Sequence, residues 1–517
     1  MRHPRFLPLL LLGVVLALPA GAAAQTTSRV VVDTGRSLGP TNPNVLGVGW
    51  NSGDLSRIAP LRPPLVRIDS RLESTVPAPG VFELGRVLDR IQRVREAGGE
   101  PLVILYGTPR WLSAERAERC APNPIFFPDG CNPVLVAPSD LEVWEEVIRH
   151  VVRELATAPT PAYRFESWNE PDIPVFWHDT IEAFFETAAA THRAVRDVAA
   201  ETGLPLEIGG PGSTNADFVV EYAERILQRG LPLHFLSWHW YANNPYLGPD
   251  GAEGLIDPDL YEALAGINPD ATPAAYGEQT RRVRAAIAPL LAGTGQNPEL
   301  LIDEWNLSAG GLDRRHDSNE GAAFVAGTLI EMERAGLDGA AYYRSIGDRE
   351  VGDWSLVAPD GTKKPTWWVF HAFARASGMR LDVAGDDPAS GLWARASRRG
   401  RRVDVLLASF RAVGNEDRRV TVELEGGCVA DSAIVGRIDA ASPNWNRRRI
   451  VHAVDGAFSV ELPAQSVAWL QIACARGAAA ARRCVPDRSV GLAGGKVVDG
   501  VRPPRGAGCR ELRGAER

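Results

Sequence analysis

Residues 139–171 read S-D-L-E-V-W-E-E-V-I-R-H-V-V-R-E-L-A-T-A-P-T-P-A-Y-R-F-E-S-W-N-E-P, and the two halves obey different periods. Trp144, Val147, Ile148, Val151 and Leu155 recur at i, i+3, i+4 spacing, which predicts an amphipathic helix over Ser139–Ala156 opened by a Ser139/Glu142 capping box. After a Pro/Thr-rich break, Tyr163–Trp168 is a short β-like run bounded by turn residues, as a strand buried on both faces should be.

The same unit recurs outward in both directions. Further strands are predicted at Val45–Trp50, Leu65–Asp69, Leu102–Tyr106, Leu206–Gly209, Phe235–His239, Leu300–Asp303 and Gly339–Tyr343, with helices at Ile181–Ala200, Phe218–Leu227 and Ala322–Ala335. Eight strands alternating with helices describe an α/β protein built on a (β/α)8 barrel. A doubly wound open sheet is the alternative, but no G-x-G-x-x-G follows the first strand. After Arg380 the helical period stops. Short strands at 392–396, 403–410, 420–424, 433–438, 458–462 and 467–472, separated by turn residues, predict a C-terminal β-sandwich. The expected layout is a signal peptide over 1–24, an N-terminal strand within 25–43 joining the sandwich, a barrel over 44–380, the sandwich over 381–475 and a basic irregular tail over 476–517.

Composition excludes several classes. The 517 residues are 45% hydrophobic and 23% charged, ordinary for a folded chain and wrong for a disordered or collagen-like one. Net charge is −8, and 44 basic against 60 acidic residues over Gln25–Ala475 leave the folded body without the basic face nucleic acid requires. Arg2 and Arg5, the apolar run Phe6–Leu18 and Ala22–Ala24 form an export signal cleaved near Ala24, too short to anchor in a bilayer. The mature chain is therefore expected to be secreted or periplasmic, with no integral membrane segment. In that compartment six cysteines favour disulfides, and no C-x-x-C suggests zinc. Fifteen pairings are open; Cys120–Cys131, Cys428–Cys474 and Cys484–Cys509 are the preferred set. No metal and no cofactor are expected.

Barrel chemistry gathers at the C-terminal ends of the strands. There the fourth strand ends E-S-W-N-E-P (166–171), the seventh I-D-E-W-N (302–306), the sixth S-W-H-W-Y (237–241), and the second carries Arg67 and Asp69. Two glutamates facing each other across one mouth are what glycosidic cleavage needs. One protonated carboxyl donates to the leaving oxygen and one ionised carboxylate attacks the anomeric carbon.

W-N-E-P at Trp168–Pro171, Glu304 on the seventh strand and S-x-H-x-Y at Ser237–Tyr241 resemble clan A glycoside hydrolases. The continuation Asp172–Trp177 and the C-terminal sandwich are most similar to family 39, which includes β-xylosidases, α-L-iduronidases and bacterial exopolysaccharide hydrolases. The resemblance spans roughly Val30–Ile472. It implies a secreted retaining glycosidase acting on a carbohydrate, with Glu170 as general acid/base and Glu304 as nucleophile. Asn169 would bond the sugar 2-hydroxyl, His239 and Tyr241 would hold Glu304 ionised, and Arg67 would add positive charge beside it. Trp177, Trp305 and Trp111 are the candidate stacking walls.

Plainer readings stand beside these. A strand-tip Glu is often a surface ion-pair member, His239 could be a satisfied core histidine, and any of the tryptophans could simply pack. Strand alternation puts only one of Asp303 and Glu304 into the mouth, and Glu304 is preferred. Glu166 shares parity with Glu170 and would be a buried partner of Arg67. The Asn306-Leu307-Ser308 sequon is read as chance. The long segment after the sixth strand (242–276) and the eighth-strand tip Tyr342-Tyr343-Arg344-Ser345 depart from a typical xylosidase. A non-catalytic carbohydrate-binding protein on a degenerate barrel, and a polysaccharide lyase, are the competing functions.

Overall fold

A computed structural model describes residues 26–242, 272–311, 313–412 and 414–475. The expected signal peptide, the basic tail, the Cys484–Cys509 pairing and most of the segment after the sixth strand lie outside the described residues. Eight parallel strands close a barrel in sequence order: β2 (Gly47–Gly49), β3 (Leu65–Asp69), β4 (Glu100–Leu105), β5 (Arg164–Ser167), β6 (Glu207–Ser213), β7 (Phe235–Tyr241), β8 (Glu299–Asn306) and β9 (Gly339–Tyr342). The strand β1 (Thr26–Pro40) precedes them and belongs to the second sheet. Doubly wound topology is thereby excluded.

Helices cover the barrel from outside. The helix Leu141–Thr157 buries Trp144, Val147, Ile148, Val151 and Leu155, the stripe its sequence spells. Its N-cap is Asp140, whose side chain accepts from the amides of Glu142 and Val143, so the expected Ser139 cap is corrected. Ser139 is occupied elsewhere, its amide bonded to Leu112 O at the end of the preceding loop. The floor of the barrel is a dry layer of Leu65, Leu102, Phe235 and Leu301, one from each of four strands. Arg164, Glu207 and Glu299 pair at the N-terminal ends of their strands, whereas Glu166, Ser237 and Asp303 lie above the apolar layer, towards the C-terminal ends.

The second sheet has nine strands. β1 runs between β10 (Met379–Ala384) and β13 (Arg418–Glu425), parallel only to β13. The remaining strands are β11 (Leu392–Arg399), β12 (Arg402–Ser409), β14 (Ser432–Ile438), β15 (Arg448–His452), β16 (Ala457–Leu462) and β17 (Ser466–Ala473). Its central strands are buried on both sides. Val403, Val405 and Leu407 of β12 enter the sheet's own core, while Leu406 and Ala408 join the barrel's. β17 alternates likewise, with Leu470 and Ile472 inward and Trp469 towards the barrel. Curled over one core and backed by the barrel helix Asn319–Ala335, this sheet is the expected C-terminal sandwich. Disulfides join Cys120 to Cys131 and Cys428 to Cys474.

Candidate active site

Arg67 on β3 organises the barrel mouth. Its Nε lies 2.8 Å from Glu166 Oε2 and 3.1 Å from Asp303 Oδ2, Nη1 donates to Glu304 Oε2 at 2.9 Å, and Nη2 donates to Asn169 Oδ1 at 2.9 Å. Three strands and a loop are thereby held by one buried guanidinium. Glu166 is completed by Ser237 Oγ, which donates to its Oε1 at 2.5 Å.

Glu170 is 8% exposed and stands in a left-handed backbone conformation at φ 46°, two residues after Trp168 at φ 91°. Such positions cost about 1–3 kcal/mol each and persist only where their surroundings dictate them. Here the Glu170 amide donates to Gly212 O at 2.8 Å, and the Trp168 indole donates to Phe176 O at 3.0 Å. Gly212 stands at φ +59°, where a side chain is strained, and a Cβ there would crowd the site at 3.0 Å from Arg67 Nη2 and 3.2 Å from His239 Nε2. Burial, aided by the Asp172 carboxylate and opposed by Arg67, lifts the Glu170 carboxyl to about 8. Glu304, in contrast, has an oxygen on each of two donors: Arg67 Nη1 and, at 2.6 Å, Tyr241 Oη.

One oxygen of Glu170, one of Glu304 and a ring nitrogen of His239 all lie within 4.8 Å of one another. Ligand spacing of this kind also suits a cation, but Arg67 already compensates Glu304, and a cation would oppose it. The donor set fits a sugar's reacting carbon better than a metal.

Glu170, Glu304, Asn169, Tyr241, Arg67 and His239 therefore converge, with changes in detail. His239 was expected to support Glu304; its Nδ1 instead lies 2.6 Å from Glu170 Oε1 and 3.9 Å from Glu304 Oε2. Asp303 and Glu304 were expected to point to opposite faces, yet both reach Arg67. A bulge at Asp303 is the reason: Trp238 pairs with Ile302 and the next residue, His239, with Glu304, so β8 carries one extra residue.

The stacking walls need correction. Trp305 is fully buried between Tyr276, Tyr342 and Phe370, outside the barrel, and Trp177 (4% exposed) packs edge-on against Trp168 and Phe184. Both are packing residues, and Trp177 serves the site by bracing Trp168. Trp111 is half-buried, its indole bonded to Val76 O, and bridges the loops after β3 and β4. Asn306 is buried and donates through Nδ2 to Tyr343 O and Trp354 O, so its sequon is not a glycan acceptor. Asp303, which strand alternation had set on the opposite face, lies in the site, and Gly212 was not singled out; its only signal was the G-G-P-G run at 209–212.

A closed parallel barrel with two strand-tip carboxylates held close, one protonated and one paired with arginine, defines a glycosidase. Residues 134–383 match Glycosyl hydrolases family 39. A β-xylosidase of Caldicellulosiruptor saccharolyticus is 23% identical over 367 residues, 65% of this chain and 69% of the relative. A β-xylosidase of Geobacillus stearothermophilus is 27% identical over 256 residues, 46% of each chain. In fold, the chain is similar to a monomeric β-xylosidase of Caulobacter crescentus CB15 (TM-score 0.66, 19% identity, covering 87% of this chain and 100% of that one). It is also similar to the GH39 enzyme of Xanthomonas axonopodis pv. citri (TM-score 0.64, 20% identity, 89% and 100%). Just under half of the chain thus matches this glycosidase family, and the relatives and fold neighbours agree with that match. The relatives are glycosidases, which favours hydrolysis over the non-catalytic and lyase readings.

Proposed function

We propose that the chain is an exported, retaining O-glycosidase in which Glu170 is the general acid/base and Glu304 the nucleophile, with β-D-xylosides as the first substrates to test. The observation that carries this is the approach of Glu170 and Glu304 oxygens to within 4.8 Å. Retaining enzymes hold their carboxyls about 5–5.5 Å apart, whereas inverting ones leave about 6.5–9.5 Å for a water.

In the first step a Glu304 oxygen bonds to the anomeric carbon as the glycosidic C–O bond breaks. Glu170 passes its proton to the departing oxygen. In the second, water attacks the anomeric carbon, its proton goes to the Glu170 carboxylate, and the ester to Glu304 breaks. Arg67 and Tyr241 keep Glu304 ionised and aimed. Asn169, whose Oδ1 accepts from Arg67, would bond the 2-hydroxyl through Nδ2, a contact that tightens in the transition state. The names of the relatives support a xyloside. Two disulfides support an oxidising compartment, and so do residues 1–24.

Product stereochemistry tests the reading. The wild type should release a sugar of the substrate's own anomeric configuration, and Glu304→Ala should be inactive but yield a glycosyl azide of opposite configuration when azide is added. An inverted wild-type product would overturn the double displacement.

A further inference from the structure

Asp303 takes no part in those two steps, yet it is buried beside the acid/base. Groups from four strands face it: Arg67 on β3, with Nε 3.1 Å from Oδ2; Glu166 on β5; His239 on β7, with Nε2 3.7 Å from Oδ1; and Glu304, its neighbour on β8. Asp303 also lies within hydrogen-bond reach of the Glu166 carboxylate, so its one proton has two acceptors to choose from, Glu166 and His239 Nε2. His239 Nε2 has no other partner among the described residues, although its Nδ1 sits 2.6 Å from Glu170 Oε1. A single cation, Arg67, serves three carboxyls, and its two nearest partners with full hydrogen bonds are Glu166 and Glu304. Burial and the Glu166 carboxylate push the Asp303 carboxyl well above the usual range, so it keeps its proton. His239 is neutral: burial lowers it to about 4 despite the pull of Glu304, Glu166 and Asp172, with Arg67 acting in the same direction as burial.

A neutral imidazole has one N–H, and its position decides what Glu170 can do. With hydrogen on Nε2, Nδ1 accepts the Glu170 proton and withholds it from the leaving oxygen. With hydrogen on Nδ1, the ring donates to Glu170 Oε1, leaves the acidic proton on Oε2, and stabilises the carboxylate as that proton departs. The choice falls to whatever donates to Nε2.

We propose that Asp303 is a positioning residue for the acid/base: its carboxyl O–H, donated to His239 Nε2, fixes the imidazole hydrogen on Nδ1 and aims it at Glu170. A closure of roughly 1 Å brings the pair to hydrogen-bond distance. The proposal rests on the acid/base role of Glu170.

The test compares wild type, Glu170→Ala, Asp303→Asn and Asp303→Leu on methyl and dinitrophenyl β-D-xylosides, since only the methyl leaving group needs a proton. Asp303→Leu should lose about tenfold more kcat on the methyl glycoside than on the activated one, a fraction of what a general acid supplies. Asp303→Asn, whose amide still donates, should stay within about threefold of wild type on both. Equal loss on both substrates in Asp303→Leu, or equal damage from Asn and Leu, overturns the proposal. Nitrogen-15 shifts of His239 in the wild type, assigned with His239→Gln, supply a readout that needs no Asp303 variant: hydrogen on Nδ1 is expected, and hydrogen on Nε2 overturns it. If Glu170→Ala shows no leaving-group dependence, the acid/base assignment itself fails; if it does and Asp303→Leu does not, only the role of Asp303 fails.

Discussion

Glu170→Gln isolates proton donation from every other contact at the mouth. Burial and Asp172 raise this carboxyl from 4.5 to about 8 against the pull of Arg67. That is a shift on the order of 5 kcal/mol in the relative stability of its two protonation states, at about 1.36 kcal/mol per pH unit. Because the folded pKa is the higher one, the stabilisation is complete below the unfolded value. It is lost as pH rises from about 4.5 through about 8, where the unfolded chain releases a proton that the folded one keeps. Glutamine cannot ionise. Urea unfolding across pH 5 to 8 should therefore show wild-type stability falling relative to Glu170→Gln by roughly 1 kcal/mol per pH unit, on the order of 3–4 kcal/mol in all. In parallel, wild-type kcat/KM on a methyl glycoside should fall about tenfold per pH unit above pH 8, and that limb should be missing from Glu170→Gln assayed on a dinitrophenyl glycoside. Two unfolding series that run parallel, or a wild-type basic limb near pH 5, would mean that Glu170 ionises normally and that burial does not govern it.

The buried histidines act in the opposite sense. Burial lowers His192, His239 and His316 to about 4, so the stability they lend is present above 6.5 and lost as pH falls through about 4; melting temperatures of the Glu170→Gln background should drop over that window, and a flat profile would contradict it. Trp305→Ala should cost about 3–5 kcal/mol of unfolding free energy with KM unchanged in the folded fraction, since the ring packs outside the mouth. Removing Cys428–Cys474, which closes 46 residues, should cost about 4 kcal/mol, against about 3 kcal/mol for the 11-residue Cys120–Cys131 loop, by denaturant melts of the paired alanine variants.

The residues that were misjudged share a physical cause. Barrel strands were legible because a parallel strand buried on both faces is a short apolar run, and Leu65–Asp69 appears at its expected bounds. β10 and β15 were not: Met379–Ala384 offers only Leu381 as a buried residue, and Arg448–His452 lies largely exposed, so neither presents an apolar run to read. Within the site, side-chain direction was argued from strict two-residue alternation. That rule holds for Trp305, and it already implied the outcome: a residue next to an inward Glu304 must face the helices, as Trp305 does. The rule fails at Asp303, where the bulge adds a residue and turns two consecutive acids inward. No local pattern announces a bulge of that kind, since it is fixed by pairing with β7. The two carboxyls proposed to act could thus be located from strand order and the W-N-E-P resemblance, whereas the inward turn of Asp303 depends on a register irregularity that only the assembled barrel reveals.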